Sequence, residues 1–150
     1  MKNEISVQPG GEGAVARQRL TAVREALLNL HKALLESERA GYERVFGKIG
    51  SSYQFLQLAA TDPWFAWLRP VTQLIVAMDE LLEAREPLTA ARAEALVGQA
   101  KTLLVPTTDG EGYSHHYDEA LQRDPDVVFA HAAAAKLFRA EGGKRVVKSE

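Results

Sequence analysis

The chain has 150 residues, 46% of them hydrophobic and 25% charged, which supplies enough apolar side chain for one well-buried domain and too little length for two. A formal net charge of −2 and an isoelectric point near 6.1 lack the Lys/Arg excess on which nucleic-acid and anionic-membrane binding lean, so neither partner is expected. Cysteine is absent, which excludes disulfides, thiolate metal sites and a cysteine nucleophile and fits a reducing cytoplasm; no apolar run approaches the roughly 18 residues of a membrane-spanning helix.

Residues 1–13 are polar and hold Pro9, Gly10, Gly11 and Gly13, which predicts a disordered tail without the apolar core of a signal peptide. The bundle itself is expected over 14–141. From Ala14 to Phe46 the pattern is helical: Leu20, Val23, Leu27, Leu30 and Leu34, then Glu38, Tyr42, Val45 and Phe46, lie along one drifting face. Gly47 and Gly50 supply the stop. Ser51 or Ser52 can cap a short helix carrying Tyr53, Leu56, Leu58 and Ala59.

The stretch from Thr61 to Arg85, TDPWFAWLRPVTQLIVAMDELLEAR, concentrates large apolar side chains. Asp62 followed by Pro63 is a start signal, since the carboxylate can accept from first-turn N–H groups and proline's missing donor costs little there. Trp64, Leu68, Val71, Ile75, Met78 and Leu82 then recur at helical steps, widened by Trp67, Leu74 and Leu81. Pro70 removes a backbone hydrogen bond to Ala66, which predicts a kink there or a short first segment ending near Arg69.

Glu86-Pro87 closes this helix, and Thr89 can cap the next, Ala90 to Leu104. Val105 to Gly112 reads as a mobile loop. Tyr113 to Gln122 forms a short helix, Asp124-Pro125 repeats the cap-plus-proline signal, and Val127 to Ala140 forms an alanine-rich last helix before a flexible tail at 142–150. No alternating strand pattern occurs, so the expected fold is an all-α, single-domain bundle of about five or six helices with a long first helix and a central helix kinked at Pro70.

Tyr117, Ala120, Leu121, Pro125, Ala130 and Phe138 resemble the second half of one tetratricopeptide repeat and the start of the next. A solenoid needs about three such repeats and no second copy lies upstream, so a generic helix–Asp-Pro–helix corner is the simpler reading. Separately, DPWFAWLRP with the LIV and MDE that follow, together with EALQRDPDV, resembles blocks of an uncharacterised family of all-helical bacterial proteins. That resemblance implies a bacterial source and a helical bundle, with no activity to carry over.

Three constellations could carry function. His31, Glu38 and Tyr42 are spaced along one face of the first helix and, with Asp79, could form a polar site between helices; the plain alternative is an edge histidine beside a solvated glutamate. His115, His116, Asp118 and Glu119 cluster at the start of a helix, and His115 with Glu119 is an i, i+4 pair that could hold a metal if His131 or another subunit contributed; an exposed polar turn is the plainer reading. Trp64, Phe65 and Trp67 cannot all face one side of a helix, so Phe65 is expected to point either beneath the short Tyr53 helix or into a partner. Ser51, Ser52 and Ser114 show no nucleophile-elbow pattern. With no catalytic motif and no cofactor implied, the favoured reading is a non-enzymatic interaction or assembly module that forms a homodimer through the long first helix or binds another protein. The alternative is a bundle that binds a small molecule or metal.

Overall fold

The computed structural model describes the backbone over residues 2–107 and 111–149 and the side chains over 11–107 and 111–138. Within these residues the chain is an all-α bundle: α1 (Lys2–Phe46), α2 (Ser52–Thr61), a 3₁₀ segment (Pro63–Leu68), α3 (Arg69–Glu83), α4 (Ala90–Leu103), α5 (Tyr113–Arg123) and α6 (Pro125–Ser149). Helical backbone therefore covers 2–13 and 142–149, the stretches that read as tails, while Thr108, Asp109 and Gly110 of the expected mobile loop lie outside the described residues.

The core grows from α1. Ala16, Leu20, Val23, Leu27, Leu30 and Leu34 are buried at alternating steps of four and three, which keeps one seam facing inward along five turns. On it pack α3, α4 and α6. Arg24 pairs with Asp79 and His31 with Thr72, so α1 and α3 run antiparallel; Arg19 pairs with Glu94 while Gly13 lies beside Leu88, so α4 runs parallel to α1. Against this seam α3 buries Val71, Leu74, Ile75 and Met78, and α4 buries Ala93, Val97 and Ala100, whose small side chains let the axes approach.

Local signals set most boundaries. The Ser51 hydroxyl accepts from Gln54 N at 3.1 Å, the Asp62 carboxylate from Trp64 N at 2.9 Å and Thr89 Oγ1 from Arg92 N at 3.2 Å. Gly47, at φ +97°, ends α1 in the left-handed region that glycine reaches without strain. The break in the central stretch falls between Leu68 and Arg69, which puts Pro70 in the first turn of α3, where its missing N–H has no intrahelical partner to lose. Asp124 and Pro125 form the expected helix–Asp-Pro–helix corner between α5 and α6, and Asp124 Oδ1 accepts from Asp126 N at 2.9 Å.

Two helix-interior glycines differ in what surrounds them. A Cβ on Gly98 would meet nothing within 4 Å, whereas one on Gly41 would sit 3.3 Å from the Trp64 indole. Gly98→Ala is therefore expected to raise stability by about 0.5–1 kcal/mol, the usual helix-interior difference. Gly41→Ala is expected to give no such gain, because the indole must move; urea denaturation of both variants checks the pair.

Candidate functional site

The polar residues on α1 separate once the neighbouring helices are in place. Asp79 accepts from Arg24, seven residues or roughly 10 Å along α1 from His31. Glu38, 8% exposed, takes the Arg123 guanidinium, which also donates to Ser37 Oγ at 3.0 Å, and so faces the α5–α6 corner. Tyr42 packs among Phe46, Trp64 and Phe65 at ring separations of 4.7, 5.9 and 5.8 Å, edge-on to the indole and tilted to the two phenyl rings. The four-residue pocket drawn from His31, Glu38, Tyr42 and Asp79 is thus not brought together. His31 lines a groove: its Nε2 lies 3.1 Å from Thr72 Oγ1 at the rim of a space of about 330 Å³ between α1, α2 and α3.

Leu35, Phe65 and Leu68 line the apolar part of that groove, and Leu56 and Ala60 of α2 form one wall. Arg69 joins His31 and Thr72 at the polar side. Burial pushes the His31 imidazole below its ordinary value of 6.5, so the ring is neutral at pH 7.

The three aromatics of the 3₁₀ segment are spent on three different neighbours. Phe65, 1% exposed, lies beneath α2 against Phe55 at 5.9 Å, which settles its direction toward the core and not toward a partner. Trp64 is half-buried and donates from Nε1 to the Glu38 carbonyl at 3.2 Å. Trp67 stacks on His116 at 5.2 Å and packs against Tyr113 at 5.5 Å. Large apolar side chains are exposed instead at Val45, Phe46, Tyr53 and Leu56, which flank one turn, and separately at positions such as Val15, Val105 and Phe129. Val45 and Phe46 were expected on the inner stripe but are each 63% exposed. Val45 lies five whole turns from Leu27 and keeps the direction of the seam, so it is exposed because the buried seam ends at Leu34 and not because the stripe turns away.

On α5, His115 Nε2 and His116 Nδ1 lie 3.4 and 3.9 Å from the two oxygens of Glu119. Among the described residues no three ligating side chains converge as a metal would need; His131 meets Tyr117, its Nδ1 2.6 Å from the buried phenol oxygen. Burial pushes the Tyr113 and Tyr117 hydroxyls well above the ordinary phenol range, so both stay protonated. Trp67 Nε1, Tyr113 Oη and His115 Nδ1 are buried without a hydrogen-bond partner, all three in this one cluster. The Ser51 hydroxyl is engaged as the α2 cap. Comparison with protein-family models, with curated proteins and with solved structures gave no match.

Two measurements follow from this geometry. Tyr117→Phe removes a hydroxyl that bonds His131, whereas Tyr113→Phe removes one with no protein partner, so only the first should cost stability, by about 0.5–1.5 kcal/mol in chemical denaturation. For His31 the sign follows from its lowered value: the unfolded chain takes up the proton first as pH falls below 6.5. Stability is therefore full above that pH and declines down to the lower folded-state value. His31→Gln, which removes this titration, should flatten that part of the stability–pH curve.

Proposed function

We propose that this protein is a non-enzymatic interaction module that assembles as a homodimer through the corner where α1 ends and α2 begins. One observation carries the reading: Val45 and Phe46 are each 63% exposed, Leu56 66% and Tyr53 70%, and together they flank both sides of the Gly47–Ser51 turn. Burying a side chain of this kind is worth roughly 1.5–3 kcal/mol, against an association cost of about 4–15 kcal/mol. Several must be covered at once for pairing to succeed. A twofold axis does this by setting the same patch against itself.

The compartment that fits the cysteine-free sequence is a reducing cytoplasm, and the resemblance of the DPWFAWLRP block implies a bacterial one. No helix among the described residues is long and apolar enough to cross a membrane.

Light scattering over a wide concentration range is the test. The mass is expected to rise from 16.5 kDa toward twice that value, and Phe46→Asp with Tyr53→Asp should hold it at the lower figure with an unchanged circular dichroism spectrum. A wild-type mass that stays monomeric at the highest concentration removes the self-association reading.

A further inference from the structure

The groove between α1, α2 and α3 is independent of the corner, although Leu56 borders both. Its volume of about 330 Å³ lies within the roughly 300–1,000 Å³ of small-molecule sites, and its walls are apolar with a few polar groups gathered on one side. That side is asymmetric in charge. Among the described residues the Arg69 guanidinium has no ion pair or hydrogen-bond acceptor, whereas the α1 and α3 carboxylates Glu38, Glu43 and Asp79 each hold a different arginine. His31, the other titratable group lining the groove, is neutral at pH 7, so the groove presents one positive charge beside a hydrocarbon surface.

A guanidinium presents a planar fork of donors that matches a carboxylate in two parallel hydrogen bonds. One cation balances one negative charge, which favours a carboxylate over a phosphate dianion. Phe65 and Leu68 form an already buried floor, and the walls that Leu35 and Leu56 leave open to water need a hydrocarbon or aryl body, since a ligand that left them wet would forgo the available burial. We propose that the groove binds a small amphipathic monocarboxylate, with its carboxylate on Arg69 beside the His31–Thr72 pair and its apolar body on the walls toward α2.

This site goes beyond the interaction reading and stands or falls separately, because ligand binding and self-association are measured independently. The probe is decanoate, kept below its micellar concentration, titrated calorimetrically into the full chain at pH 7, with decan-1-ol, acetate and inorganic phosphate as comparisons. Decanoate is expected to bind one to one, decan-1-ol at least tenfold more weakly, and acetate and phosphate without measurable heat. Arg69→Gln should weaken decanoate at least tenfold while leaving decan-1-ol unchanged. Ala60→Phe, which places a ring at the exposed rim, should abolish both. Equal affinity for decanoate and decan-1-ol, or decanoate binding that survives both substitutions, overturns the proposal. So does co-sedimentation with phosphatidylglycerol vesicles in the absence of any binding of dissolved decanoate, which would assign Arg69 to a lipid surface instead.

Discussion

Everything in this bundle depends on the apolar seam of α1. Its leucines and valine at alternating four- and three-residue steps are the surface on which α3, α4 and α6 are laid. Each fully buried side chain of this size contributes roughly 1.5–3 kcal/mol, whereas an exposed ion pair such as Arg92 with Glu86 contributes about 0–1 kcal/mol. The seam therefore decides which helices are neighbours, and the ion pairs across α1 fix register within that choice. Where the seam stops, after Leu34, the buried positions become Ser37 and Glu38. A nearly buried carboxylate there is held only because Arg123 reaches it from the end of α5; removing that partner would leave an uncompensated charge.

The central stretch is a joint between elements more than a strut. Because Pro70 cannot lie inside a continuous α-helix without cost, the chain divides at Leu68–Arg69, and the preceding 3₁₀ turn is free to send its rings in different directions. Trp64 goes to the end of α1, Phe65 to α2 and Trp67 to α5. Six residues thus tie together three elements that have little direct contact with one another, and the glycine at position 41 is what lets the Trp64 indole lie close against α1.

The sequence was most legible where one side chain acts on its own backbone or where burial repeats with a period. Ser51, Asp62, Thr89 and Asp124 cap the helices they were expected to cap, because a cap depends on the next three residues alone. The seam of α1 and the buried face of α3 follow from spacing for a similar reason. The candidate site was far less legible. His31, Glu38 and Tyr42 do share a face, but they extend over roughly 16 Å of helix, and along that length the neighbour changes from α3 to the α5–α6 corner to the 3₁₀ turn. Helical spacing gives direction and says nothing about which element occupies it. The groove at His31 was missed because most of its lining, from Leu56 to Thr72, is brought to α1 only by the packing of α2 and the 3₁₀ segment.

Helix α2 draws these observations together. It contains no fully buried residue: Phe55, Leu58 and Ala59 are half-covered on its inner side, and Tyr53 and Leu56 face solvent. Its main packing neighbour is the 3₁₀ segment, with Arg39 of α1 lying over the Phe55 ring at 4.7 Å. An element with so few buried apolar contacts opens at lower free energy than the seam it rests on, and elements that bind are commonly drawn from that end of the range. The same helix forms a wall of the groove and half of the exposed corner. Covering either surface would bury apolar area on α2 that the core leaves uncovered, so a ligand or a second copy would stabilise the part of the fold whose own packing is thinnest.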